Sequence, residues 1–500
     1  MKKLLVSAAA AVALTAPAFA EINLSVVGSY ESGVWDEGVA EIVAHHAASE
    51  QLVIVNGDSK MIDILSFSDP TQMSFVRSID VGGKPNSVVV AGDKVVVAIE
   101  GDEVDSNGQI GVFSIEGELL MSFEAGVLPD AVAGSPDGKL VASANEGEPS
   151  DDYTIDPVGS VTVANLEDGS SFTVDFSTVT ADMLDDSVHM PSPEGTTIAQ
   201  DLEPEYVAFS ADGSKVFVTM QENNAMAVVD VASKSVESIK GLGVQDYNSM
   251  KIDASDKDGK INMTNYNVLS LFQPDTIKAV NLGGVDYIVM ANEGDARDYD
   301  GYSEETRVAD LTLDPAAYPN AAELQDKTVL GRLKTTTAKG DVDGDGDIDQ
   351  IYGYGGRSFS IRTMDGELVF DSGSQFAEWT AENLPGIFNS QGVEASFENR
   401  SDDKGTEPEA LEIGQVGDQT YAFVGLERQG GIMVYNITNP AQASFVQYAN
   451  NTDYKAEAEM AGDIAPEGIV FIPAEASPIN MPMIVVANEV SGTVTAYAIN

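Results

Sequence analysis

Short runs of Val, Ala, Ile and Phe recur along the chain, and many come in pairs folded about an Asp-Gly or Gly-Asp turn. Asp130-Ala-Val-Ala-Gly leads through Ser135-Pro-Asp-Gly138 into Lys139-Leu-Val-Ala-Ser-Ala144. Tyr206-Val-Ala-Phe crosses Ala211-Asp-Gly213 into Lys215-Val-Phe-Val-Thr-Met220, and Val88-Val-Val-Ala crosses Gly92-Asp93 into Val95-Val-Val-Ala-Ile99. Apolar runs of this length about such turns predict β-hairpins. After a loop comes a third apolar run, as at 108–115, 159–166, 225–231, 430–437 and 492–500. A fourth, more polar run often follows, as at 118–124, 171–177 and 444–449.

The hairpins are punctuated. Six times a Pro followed by an acid or amide opens the first run, and a Glu closes the second: Pro85-Asn86 to Glu100, Pro129-Asp130 to Glu146, Pro204-Glu205 to Glu222, Pro274-Asp275 to Glu293, Pro408-Glu409 to Glu427 and Pro466-Glu467 to Glu489. The spacing is 15, 17, 18, 19, 19 and 23 residues. An internal repeat of about 40–45 residues built from short strands is the mark of a β-propeller. A weaker copy from Glu41 to Asp58 begins the series, which makes seven units. The last unit stops after its third strand, and residues 22–30 form a spare strand before the first. Pairing the two would hide both sheet edges. The expectation is an all-β, seven-bladed β-propeller, closed by an N-terminal strand joining the last blade and forming one domain over 21–500. Eight blades follow instead if 341–376 makes its own sheet. The unit from Pro274 is interrupted by a long insertion at about 294–354, and others fall at about 178–202, 244–273 and 377–405. Loops of that length in a compact domain are usually functional or disordered.

Residues 1–20 carry Lys2 and Lys3, an apolar run from Leu4 to Leu14, and Ala18-Phe19-Ala20. These are the three regions of a secretory signal peptide, and the run falls short of the ~20 residues that span a bilayer. A periplasmic or extracellular protein, with surface attachment open, is therefore expected. It has no Cys, so disulfides contribute nothing. Cleavage after Ala20 would leave 81 acids facing 24 bases. That balance argues against nucleic acid and anionic membrane. It suits divalent cations as partners, or a surface adapted to salt, where screening relieves self-repulsion. A monomer is expected.

The first and second strands of a hairpin run antiparallel, so the start of one and the end of the next share an end of the sheet. Asp130, Glu146, Glu205, Glu222, Asp275, Glu293, Glu409, Glu427, Glu467 and Glu489 are thus expected around one channel mouth. Crowded carboxylates there must take up protons or cations, and Ca²⁺ prefers such oxygen ligands. Turn capping is the simpler role for the Pro–acid pairs. Arg297, Arg357 and Arg428 are expected at the same mouth, either as charge compensation or to recognise an anionic group such as phosphate. His45, His46 and His189 lack metal-ligand spacing.

Asp341-Val-Asp343-Gly-Asp345-Gly346-Asp347-Ile-Asp349 is the most specific motif. Alternate Asp residues place oxygens around one Ca²⁺, and Gly346 permits the turn. Position 12 is Tyr352 rather than Glu, so the loop is expected between strands and not between EF-hand helices. The run Asp253-Ala-Ser-Asp256-Lys-Asp258-Gly259 is a weaker second candidate.

Seven segments carry a family resemblance: SANEGEPSDDY (143–153), LEPEYVAFSADG (202–213), DASDKDGKIN (253–262), ANEGDARDY (291–299), GTEPEALEIG (405–414), GLERQGGIMVYN (425–436) and APEGIVF (465–471). Through them the chain resembles the choice-of-anchor I family of secreted bacterial proteins, related to mesenchyme-specific cell-surface glycoproteins. The resemblance implies a propeller. It also makes alkaline phosphatase or phytase-like activity thinkable, since several members carry the former label, but it assigns no nucleophile. The family's variable C-terminal sorting signals have no counterpart before Asn500.

Three readings follow. The first is a secreted calcium-binding propeller whose acidic mouth binds an anionic ligand or surface partner. The second is a metal-dependent phosphoesterase in which Glu146, Glu222, Glu293, Glu427 and Glu489 hold Ca²⁺, which polarises a phosphate ester. Arg297 and Arg428 clamp its oxygens, and Glu293 and Glu427 join them as catalytic candidates. The third is a structural surface or biofilm protein. The identity of any second metal stays open.

Overall fold

The paired apolar runs form antiparallel hairpins, and these extend into seven four-stranded sheets. The computed structural model describes residues 22–500; the expected signal segment lies outside the described residues. The first sheet orders Val43–His46, Gln51–Asn56, Met61–Ser66 and Ser74–Asp80. The second takes Pro85–Ala91, Lys94–Ile99, Asn107–Phe113 and Leu119–Val127, and the third Pro129–Gly134, Leu140–Asn145, Ser160–Asn165 and Ser171–Asp175. The fourth runs Val207–Phe209, Lys215–Met220, Ala225–Asp230 and Ser235–Gly241. The fifth joins Ile277–Leu282 and Val285–Asn292 to Ser358–Thr363 and Leu368–Asp371 across the long insertion. The sixth is Pro408–Val416, Gln419–Leu426, Ile432–Asn436 and Ser444–Ala449. In the seventh, Pro466–Ile472, Met483–Asn488 and Thr493–Ile499 are followed by Leu24–Glu31, which pairs antiparallel with Thr493–Ile499.

The burial pattern explains the composition of each run. Second and third strands lie between neighbouring sheets, so both faces are apolar: all but the first residue of Leu140–Asn145 and all but the last of Ser160–Asn165 are buried. Fourth strands face solvent and alternate, as Ser171–Asp175 does. Between the fifth and sixth sheets, Phe359 packs 4.7 Å from the Tyr435 ring, with Phe370 and Phe376 around it. The first strands touch one another in chain order, and that of the seventh sheet touches that of the first. A cavity of about 350 Å³ is lined by residues from the first-strand segments of all seven, among them Ala44, Val89, Val132, Ala208, Ala279, Leu411 and Ile469.

The insertions do not build an eighth sheet of the expected kind. Ser358–Thr363 and Leu368–Asp371 complete the fifth sheet instead. Ile351–Gly353 pairs in parallel with Val268–Leu271, which also pairs with Val244–Asp246. The insertions at 244–273 and 294–354 thus interlock, and they share an apolar cluster of Tyr247, Val268, Val308, Tyr318, Leu330 and Ile351. Among the described residues no helix is long and apolar enough to cross a membrane.

Removing residues 22–31 should bare the edge of Thr493–Ile499; a lowered melting point and concentration-dependent aggregation are expected by calorimetry and light scattering. Phe359→Ala should cost about 3–5 kcal/mol in denaturant unfolding, the usual range for a buried aromatic.

Candidate functional site

Pro lacks an N–H, so it suits the first residue of a strand. Immediately after Pro85, Pro129, Pro408 and Pro466 the pairing register slips, with one extra residue on the Pro strand. Such bulges re-aim side chains, and the residue after each Pro falls within them. Asn86, Asp130, Asp275, Glu409 and Glu467 all line one small cavity of about 60 Å³. Glu205 stands close enough to feel the charges of Glu146, Glu222, Asp275 and Asp130. These side chains are half-buried. Burial first, then Asp275 and Glu148, pushes Asp130 up to about 7. Burial and then Glu293 pushes Asp275 to about 7. Burial and neighbouring carboxylates hold Glu205, Glu409 and Glu467 well above the usual range.

The closing Glu residues form a second level. In four of the six the backbone N–H donates to the carbonyl just ahead of the Pro: Glu100 to Lys84 at 2.9 Å, Glu146 to Leu128 at 2.8 Å, Glu427 to Glu407 at 2.7 Å and Glu489 to Ala465 at 2.8 Å. The residue preceding the Pro therefore sits beside the closing Glu. Leu128, Gln273, Glu407 and Ala465 adopt left-handed backbone there, a strained conformation held by the surrounding structure. In two repeats the pre-Pro residue is itself acidic. Glu203 joins Glu146 and Glu222, and Glu407 joins Glu293 and Glu427. In each cluster one carboxylate oxygen per residue lies within 4.8 Å of the others, and all six side chains are buried. Sequence reasoning missed Glu203 and Glu407, although Glu-Pro-Glu appears twice, at 203–205 and 407–409.

Glu489 joins neither cluster. Its carboxylate is raised by burial and lowered by Arg428. Glu100 pairs with Lys84 at 2.8 Å. Glu41, from the weak first unit, also belongs to the mouth: burial and then Glu489 push it up to about 8.

The three arginines divide. Arg428 holds Glu427 at 2.9 Å and keeps part of its side chain exposed. Arg297 is fully buried, paired with Glu203 and donating to the Asp201 carbonyl at 3.0 Å. It is enclosed by protein, with Glu203 as its charge partner. Arg357 donates to the carbonyls of Asp253 and Ser401 at 3.1 Å and of Asp403 at 2.5 Å, so it ties loops together rather than lining the mouth. His45 packs edge-on against Phe67, His46 binds Ser49 Oγ at 2.7 Å, and His189 meets Glu304 at 2.8 Å. Glu304 belongs to the 294–354 insertion; that contact and Tyr299 donating to Glu148 at 2.9 Å seat the insertion over the third and fourth sheets.

The 341–349 loop is exposed and coiled about its own acids. Gly344 and Gly346 donate to the Asp341 carboxylate at 2.7 and 3.0 Å, and Val342 donates to Asp349 at 2.8 Å. Oxygens of Asp341, Asp343 and Asp349 gather within 4.8 Å; Asp345 and Asp347 stand outside that group. At the weaker run, Asp253 is buried, and buried Glu398 comes to it from a distant insertion. Burial and then Asp253 and Asp258 push Glu398 up to about 8. Asp256 instead pairs with Arg332 at 3.0 Å.

The model of the choice-of-anchor I domain matches residues 41–440, and the chain belongs to that family. Gigasin-3a of Magallana gigas is 32% identical over 188 residues, covering 35% of this chain and 66% of that protein. The mesenchyme-specific cell surface glycoprotein of Strongylocentrotus purpuratus is 27% identical over 282 residues, 49% of this chain and 36% of that protein. The chain thus spans less than two thirds of the length of either curated relative. Among solved structures, a chain of Kuenenia stuttgartiensis hydrazine synthase superimposes with a TM-score of 0.50 at 13% identity, covering 94% of this chain and 99% of that one. At that identity the likeness is one of fold.

Burial and neighbouring carboxylates push Asp130 and Asp275 up from the ordinary 3.8 to about 7. A group raised on folding stabilises below its unfolded value, and that contribution is lost as pH climbs through the folded one. In chelator, the melting point should therefore fall between pH 4.5 and 7.5, and Asp275→Asn should flatten the slope. An unchanged slope would mean that Asp275 is already ionised at low pH.

Proposed function

We propose that the protein is an exported calcium-binding β-propeller that works outside the cytoplasm or at the cell surface. The seven four-stranded sheets are its blades, and the Leu24–Glu31 strand closes the ring on Thr493–Ile499. The cavity lined by all seven first-strand segments supports that closure. The location rests on family membership, on the cell-surface relative and on the signal-like residues 1–20. The observation that carries the function is the gathering of carboxylate oxygens without basic partners in the 341–349 loop, where Asp341, Asp343 and Asp349 converge. Hard divalent cations take such all-oxygen sites. Ca²⁺ held there and at the mouth converts an acidic surface into one that bridges to anionic groups of a ligand or surface polymer.

The phosphoesterase reading draws on Arg428, partly exposed beside Glu427. The burial of Arg297 weighs against a two-arginine clamp, so binding is the better-supported role.

A melting curve in Ca²⁺ and in chelator tests the proposal. Free Ca²⁺ at 100-fold over Kd should add about 2.7 kcal/mol of stability, and Asp343→Asn should remove part of it. A melting point indifferent to chelator would overturn calcium binding. Phosphomonoesters and phytate should not turn over; calcium-dependent hydrolysis abolished in Glu293→Gln would instead establish the enzyme.

A further inference from the structure

The two glutamate clusters at the mouth are built alike. Each takes the closing Glu of one sheet, then the pre-Pro Glu and the closing Glu of the next: Glu146, Glu203 and Glu222 in one, Glu293, Glu407 and Glu427 in the other. They differ in what neutralises them. In the second cluster Lys404 places Nζ 2.8 Å from Glu293 and 3.5 Å from Glu407. Arg400 adds a contact to Glu407 at 2.6 Å, and Arg428 one to Glu427 at 2.9 Å. Three carboxylates face three cations. In the first cluster Arg297 is the one basic partner among the described residues, and it takes Glu203 Oε2. The position three residues ahead of Glu203, matching Lys404 ahead of Glu407, is the neutral Gln200. Its amide is engaged with the Asp156 carbonyl at 2.7 Å and with Thr197. Three carboxylates therefore face one cation, and two charges are left over.

A separate observation points to a ligand. Glu203 is fully buried and Glu222 is 5% exposed, yet Glu203 Oε1 and Glu222 Oε2 meet no hydrogen-bond donor among the described residues. Isolated buried carboxylate oxygens are costly unless a proton or an ion satisfies them. Calcium–oxygen distances of 2.3–2.6 Å put opposite ligands about 5 Å apart, so three oxygens that all lie within 4.8 Å of one another can share one ion.

We propose that Glu146, Glu203 and Glu222 form a divalent-cation site, and that Lys404 is the built-in cation that fills the sister cluster in its place. The inference rests on the calcium-binding reading and adds where at the mouth the ion goes and where it does not. Three monodentate carboxylates leave positions on the ion for water or an anionic oxygen, so this is also the point where an anionic partner would attach. The 341–349 loop is an independent site.

Calcium equivalents counted by equilibrium dialysis of the full chain test this. Glu222→Gln should lose one wild-type equivalent, and Asp343→Asn a different one. Lys404→Met should gain one, because it vacates the sister cluster. Should Glu222→Gln fail to fold by circular dichroism, Glu146→Gln replaces it; the Glu146 carboxylate accepts no hydrogen bond from any described residue, so its loss disturbs no partner. A folded Glu222→Gln or Glu146→Gln with the full complement of Ca²⁺ overturns the site, even when the wild type binds Ca²⁺ elsewhere. Lys404→Met with no added equivalent overturns the role given to Lys404. A wild type that binds no Ca²⁺ overturns the broader function as well.

Discussion

Carboxylates brought together where neighbouring sheets meet must be neutralised, and the cluster of acids in this protein is organised by that requirement. The repeat delivers an acid to the same place in successive units because strand direction leaves no other choice. Asp130, Asp275, Glu409 and Glu467 meet on one cavity wall, where burial disfavours the ionised form. Around them the chain uses every available remedy. Burial pushes carboxyl groups up toward neutral pH, lysine and arginine enter from the insertions, and the carboxylate oxygens of Glu146, Glu203 and Glu222 gather within 4.8 Å.

The insertions make sense in the same terms. Lys404 and Arg400 come from the segment just ahead of the sixth sheet, and Arg297 from the one that interrupts the fifth. The long insertion supplies a counter-charge to Glu203 and is itself anchored by a buried His189–Glu304 contact. Segments that look like excess length between strands therefore act as parts of the mouth. Arg357 does related work from behind by gathering the carbonyls of Asp253, Ser401 and Asp403.

The hairpins were legible because period and flanking Pro agree over six of the seven repeats. The interrupted fifth sheet was legible too, since Ser358–Thr363 and Leu368–Asp371 keep the apolar pattern of third and fourth strands. Ile351–Gly353 was not: three residues carry too little pattern, and its partner lies more than 80 residues earlier. At the mouth, attention to the residue after each Pro found Glu205 and Glu409 but passed over Glu203 and Glu407 before it. Glu407 is set beside Glu427 by a backbone bond and Glu203 by its own N–H donating to the Asn223 side chain, and no spacing rule shows either contact. Lys404 escaped for the same reason, since its partner Glu293 is 111 residues away. Arg297 lies fully buried against Glu203, and burial is not written in a charge pattern.

The most direct test of the account is anomalous scattering from crystals of the full mature chain grown with Mn²⁺ or a lanthanide in place of Ca²⁺. A peak is expected between Glu146, Glu203 and Glu222, a second in the 341–349 loop, and no peak between Glu293, Glu407 and Glu427, where Lys404 stands. A peak at the Lys404 cluster, or none at Glu146, Glu203 and Glu222, would contradict it.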